Sequence, residues 1–166
     1  MRSERQMEKM PRTLTPKQTL LWILVPMLAT FVGQRLHLHL GGVQHVYPAG
    51  YLVHHLYTGA LIVIPAAFIL AFGARHRLVA ILARVALGIG SAMVLDEMVY
   101  LVATDASDTD YVSALSLWGA VILMALGTIL LLALYWLHGQ GLDGRQEVRA
   151  FGPSGRRVKR KRGTSD

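Results

Sequence analysis

An all-α fold, a bundle of four transmembrane helices, is the class this sequence predicts, and three observations predict it. Hydrophobic residues make up 53% of the 166 positions and charged residues only 16%, well below the roughly 25% usual for soluble domains. Nearly all of the few charges lie in the ends and the connecting segments, leaving long runs with little or no charge between charged borders. A bilayer selects such runs because no water in its core can solvate an ion. Lysine and arginine are also distributed unevenly, which assigns the uncharged runs an orientation.

The elements follow in chain order. Residues 1–18 form a charged N-terminal tail with Pro11 and Pro16. The first apolar segment, 19–36, contains Pro26, and at about 1.5 Å of rise per residue it crosses a core of roughly 30 Å only if it reaches Leu36. Its basic leader and short apolar core also suit a cleaved signal peptide, although no A-x-A-like site follows cleanly. The second segment, 50–72, is long enough to span and is closed by Gly73. The third, 78–103, carries Arg84, Asp96 and Glu97. The fourth, 112–137, has no charge at all. A basic tail, 138–166, completes the chain.

Orientation comes from the basic residues. Five precede the first segment, three lie in or just after the connection between the second and third (Arg75, Arg77, Arg84), and eight lie in the C-terminal tail. Arg35 stands alone on the other side. The positive-inside rule then places both termini in the cytoplasm of a multi-pass protein of the cell membrane, with Gln34–Ala49 and Thr104–Tyr111 as outward-facing segments. Arg84, a turn or two inside the third segment, can snorkel back to the cytoplasmic interface.

The composition also assigns partners. The +7 net charge serves topology, so no nucleic-acid partner is expected; the bilayer itself is. The run Arg156-Arg157-Val158-Lys159-Arg160-Lys161-Arg162 suits anionic lipid head groups, and a small bundle is compatible with a homo-oligomer or a larger membrane complex. The chain has no cysteine, which removes thiolate metal ligands, disulfides and CxxCH haem attachment. No phosphate-cradling loop, dinucleotide fingerprint or HExxH pair occurs.

Chemistry is concentrated at the outer end. His37, His39, His45, His54 and His55 lie there, as do Asp105, Asp108 and Asp110, with Asp96 and Glu97 just inside the third segment. A carboxylate inside a bilayer costs about 2.5–3.5 kcal/mol on insertion scales, so it should face the bundle interior and have partners. The antiparallel second and third segments bring His54 and His55 to a similar height. Adjacent helical residues diverge by about 100°, so one histidine and one carboxylate of each pair are expected to point at the bundle centre, the other facing a neighbouring helix or the interface. Gly88 and Gly90, two turns below, would let the third helix approach another backbone closely.

The leading functional expectation is a divalent-metal site (zinc, iron or copper) open to the extracytoplasmic side. Its ligands would be His54, His55, Asp96 and Glu97, completed by His37, His39 or His45 from the first outer segment, because mixed imidazole and carboxylate shells suit these metals. His37-Leu38-His39 would present two imidazoles on one side of an extended chain. One alternative is a structural or partner-binding subunit in which the cluster only locks helices together. Another is a proton or cation relay, against which stands the apolar character of the helices below Asp96 over about 15–20 Å. Asp105-Ala106-Ser107-Asp108-Thr109-Asp110 is oxygen-rich but lacks the glycine and closing glutamate of an EF-hand, and also reads as a surface turn. No catalytic residue is assigned.

The motifs His54-His55-Leu56-Tyr57-Thr58-Gly59, Gly88-x-Gly90 leading into Asp96-Glu97, and Tyr111-x-Ser113-x-x-Ser116 resemble a group of small bacterial and archaeal four-helix membrane proteins of unassigned function. These carry a similar HHxxxG element on one helix and GxGxxxxxDE on the next. The likeness covers roughly residues 50–120 and departs at Val112, where the pattern has an aromatic. It implies that the histidine and acidic residues belong to one constellation, and it implies no activity.

Overall fold

The computed structural model describes residues 14–41, 54–74, 76–105 and 107–150, the side chains of Asp108 and of 140–150 excepted. All regular structure among them is helical: α1 Pro16–Gly41, α2 His55–Ala71, α3 Arg77–Ala103, the single turn α4 Asp108–Tyr111, and α5 Ala114–Ala150. In α1, α3 and the Ala114–Gly139 part of α5 the chain is long and apolar enough to cross a membrane; α2 is apolar but only 17 residues long.

Local signals explain where the helices begin and end. Thr15 and Gln18 form a reciprocal cap at the start of α1, Gln18 N donating to Thr15 Oγ1 and Thr15 N to Gln18 Oε1, both at 3.2 Å. Pro16 then occupies the first helical position, where its missing N–H is not needed. Gly73 ends α2 with φ 78°, a left-handed conformation that glycine adopts without steric cost. At the end of α3, Thr104 Oγ1 donates to the Tyr100 carbonyl at 2.6 Å and satisfies a last-turn acceptor.

α3 is the hub. It packs against α1, α2 and α5, and α1 also meets α5. Each contact uses a stripe at helical spacing: Met27, Phe31, Arg35 and Leu38 on α1, and Ser116, Ala120 and Met124 on α5. On α3, Gly88, Ala92, Asp96 and Tyr100 are buried along one stripe, while Gly90 and Glu97 lie toward α2. The expected close approach at the glycines is present: Gly88 lies against the backbone of Ile23 and Met27 in α1, and Gly90 against that of Gly59 in α2.

Among the described residues the buried set is short: alanines and glycines, two methionines, Leu38, two tyrosines and four polar or charged residues. The outward faces carry many more large apolar side chains, among them Val25 and Val32 on α1, Leu61 and Phe68 on α2, and Trp118 and Ile122 on α5. Water disfavours so continuous an apolar exterior. Hydrocarbon does not, and there close packing of small residues holds helices together.

α1 runs past the expected end, Leu36, to Gly41, so His37 and His39 are helical rather than parts of a loop. Helical structure also continues beyond Leu137 to Ala150, into the segment expected to be a polar tail. The run 156–162 lies outside the described residues, as does His45.

Candidate functional site

The polar groups at the end of the bundle where α1 finishes are built from Arg35 upward. Its place on the α1 stripe, two turns beyond Met27 and one beyond Phe31, directs the side chain into the interior, where the residue is 6% exposed. Asp96 on the α3 stripe is 1% exposed. Arg35 Nε donates to Asp96 Oδ1 at 2.6 Å, a short charge-assisted bond. Nη2 donates to the Asp96 carbonyl at 3.2 Å and to the carbonyl and hydroxyl of Ser116 at 3.3 and 3.4 Å. Nη1 donates to the Tyr111 carbonyl at 3.4 Å. The second carboxylate oxygen, Asp96 Oδ2, accepts the Tyr111 hydroxyl at 3.2 Å. One guanidinium thus ties α1, α3, α4 and α5 together, and both Asp96 oxygens are occupied.

Aromatic rings close this clamp from outside. The guanidinium carbon of Arg35 lies 5.6 Å from the Tyr111 ring centre, and the Tyr111 and Tyr100 rings are 4.6 Å apart. Together with Leu38 they form a small apolar cluster over the ion pair, which strengthens it by excluding water. Ser107 and Asp110 hold α4 in position through a capping box: Ser107 Oγ accepts from Asp110 N at 3.2 Å, and Ser107 N donates to Asp110 Oδ2 at 3.3 Å. The stretch 107–110 therefore acts as the turn that delivers Tyr111, with Asp110 capping a helix rather than facing a cation.

Glu97, 2% exposed, serves the other side of α3. Its Oε2 accepts the backbone N–H of Leu56 at 2.5 Å, and its Oε1 lies 3.4 Å from His54 Nδ1. His54 is the N-cap residue of α2 but makes no side-chain cap bond of its own. The first amides of a helix have no intrahelical acceptor, and here a carboxylate from the neighbouring helix supplies one. A negative group is also favoured at that positive helix end. Comparisons with protein families, curated proteins and solved structures find no match for this chain.

The expected ligand set is accordingly divided. Of the two adjacent histidines, His54 faces the interior and His55 is exposed. Of the two carboxylates, both are buried, but Asp96 pairs with Arg35 and only Glu97 meets a histidine. His37 and His39 are exposed, and because their segment is helical they diverge by about 200° instead of sharing a side. His39 Nδ1 lies 2.9 Å from the Arg35 carbonyl, within its own helix. Among the described residues no three His, Asp or Glu side chains converge as metal ligands.

Sequence reasoning misses Arg35, because a lone basic residue at the end of the apolar segment reads as part of an outer loop. Its spacing from Met27 and Phe31 is the available signal. Ser116 enters only through the resemblance, with no role attached, and Tyr111 reads from its place near a helix end as an interfacial aromatic rather than as a buried hydrogen-bond donor.

Burial raises the pKa of the Tyr111 phenol beyond its ordinary value of 10.0, and the nearby Asp96 and Glu97 carboxylates reinforce the shift. A group with a raised folded pKa contributes stability that is fully present below its unfolded value and is lost as pH rises above it. Alkaline pH should therefore loosen the clamp. In an absorbance titration of tyrosinate, the Tyr111→Phe protein is expected to match the unsubstituted protein up to about pH 11, since a buried phenol does not ionise in that range. Loss of one titrating group near pH 10 on substitution would contradict this placement.

Proposed function

We propose that this chain is a four-helix integral membrane protein, its termini cytoplasmic, that acts as a non-enzymatic structural or partner-binding subunit. In this reading the outer polar cluster locks helices and binds no ion. The observation that carries it is the saturation of Asp96: a buried cation, Arg35, and the Tyr111 hydroxyl occupy both its oxygens. A buried guanidinium repels a divalent ion at close range, and a buried ion pair with its remaining hydrogen bonds satisfied is stable without a ligand. The four apolar helices, the large apolar side chains on their outward faces and the glycine contacts between them support insertion.

A transport role is disfavoured by the layer beneath the cluster. Met27, Ala92 and Met124 are buried there, packed with Leu24, Phe31, Leu95 and Leu131. These side chains offer an ion or proton no polar relay.

Elemental analysis of the untagged protein, purified without added metal, tests the reading. Zinc, iron and copper are each expected well below one equivalent. Stoichiometric metal that disappears in Glu97→Gln, with helicity intact by circular dichroism, would instead establish a site on Glu97 and His54 completed from outside the described residues.

A further inference from the structure

At the end of the bundle opposite the clamp, α1 and α5 part to leave a groove over α3. Its end section, about 680 Å³, is lined by Thr19, Arg84, Tyr135 and His138 among apolar neighbours. A second section, about 340 Å³, continues toward Met27, Leu95 and Gly127 and is almost entirely apolar. The two sections share Ile23 and Leu131, so they adjoin along one face of α3 and are taken together as one groove. From Arg84 to Leu95 the rise along α3 is about 16 Å, about half the roughly 30 Å hydrocarbon core and so the depth of one leaflet.

Arg84 is the cation of this groove. Its Nη1 donates to the Ala80 carbonyl at 2.7 Å, one turn back on the same helix. Its Nε is buried and has no hydrogen-bond partner among the described residues, and no carboxylate among them forms an ion pair with it. An unpaired buried donor on a guanidinium is costly to leave unmade, and guanidinium geometry matches phosphate oxygens.

Building on the membrane reading above, we propose that the groove between α1 and α5 holds one phospholipid of net negative charge, its phosphodiester on Arg84 and an acyl chain along Ile23, Leu131 and Met27. Charge, polarity and length agree with this occupant. A cation with spare donors sits at one end, apolar walls follow, and the groove is one leaflet deep. A helix from a second copy would fill the apolar walls but leave the Arg84 donor unmet.

The test uses the full chain in phosphatidylcholine vesicles containing a small mole fraction of phosphatidylglycerol with a photoactivatable acyl chain, adducts being located by mass spectrometry. Adducts are expected to concentrate on Ile23 and Leu131. Arg84→Gln should lower their yield about fivefold, as loss of one basic contact to an anionic lipid implies, and should lower adducts of a phosphatidylcholine probe less, because its choline cation offsets the phosphate charge. Leu131→Trp, which fills the groove but keeps Arg84, should also abolish groove adducts. Labelling spread evenly onto outward residues such as Val25 and Leu28, a yield indifferent to Arg84→Gln, or chain-to-chain adducts at the groove would each overturn the lipid site. Resistance of each variant to alkaline extraction reports insertion separately: extractable protein defeats the membrane reading, whereas inserted protein without phosphatidylglycerol preference defeats only this site.

Discussion

Arg35→Met is expected to destabilise the protein by about 3–5 kcal/mol, because it leaves the Asp96 carboxylate buried without its counter-charge. Asp96→Asn should cost a similar amount by stranding the guanidinium, whose remaining acceptors are neutral carbonyls and a hydroxyl. The double substitution Arg35→Met with Asp96→Asn should recover most of the loss. No uncompensated charge is then left inside, and the introduced amide oxygen can still accept the Tyr111 hydroxyl. Tyr111→Phe removes a hydrogen bond to the Asp96 carboxylate and should cost about 1.5–3 kcal/mol. Reversible unfolding in mixed micelles, followed by circular dichroism, measures all four. Neutral hydrogen bonds within membranes average about 0.6 kcal/mol, so single substitutions of the ion pair in that range would mean that it is not the lock described here. A double mutant worse than both singles would likewise count against it.

The second large effect belongs to Gly88. A Cβ there would collide with the Ile23 carbonyl oxygen and lie 3.2 Å from Met27 N, and backbone atoms cannot rotate away as a side chain can. Gly88→Ala must therefore push α1 from α3, at a cost of about 3 kcal/mol. Separation of those helices also lengthens the Arg35–Asp96 contact two turns above, so the tertiary loss should exceed the local one. Gly33 is the control, since a Cβ there meets nothing within 4 Å. Gly33→Ala should be neutral or stabilising by up to about 1 kcal/mol through helix propensity. Equal responses at the two positions would show that the close approach of α1 and α3 contributes nothing.

Much of the architecture was legible in the residues alone. Uncharged runs bounded by charges announce helices, since only intrahelical hydrogen bonding satisfies a backbone in an apolar medium. The demand that Asp96 and Glu97 have partners follows from the cost of a buried carboxylate. Divergence of neighbouring side chains on a helix also indicated that one member of each pair, His54 or His55 and Asp96 or Glu97, would turn to the bundle centre and the other to a neighbouring helix or the interface; it did not say which. The close approach at Gly88 and Gly90 follows from the absence of a Cβ.

Which partner each carboxylate receives was decided by the tertiary structure. Asp96 and Glu97 are adjacent in the chain, yet they face different helices, and the one with the buried arginine is the one on the Gly88 stripe. Arg35 reaches it because Gly88 lets α1 lie against α3 at the depth and rotation that align the two stripes. Glu97 instead meets the first turn of α2, whose distance is set by Gly59 against Gly90. Residue types and spacing determined that charges were buried and had to be paired. The pairing itself depends on the rotation and offset of one helix against another, quantities fixed by contacts between residues some sixty positions apart and absent from any local pattern.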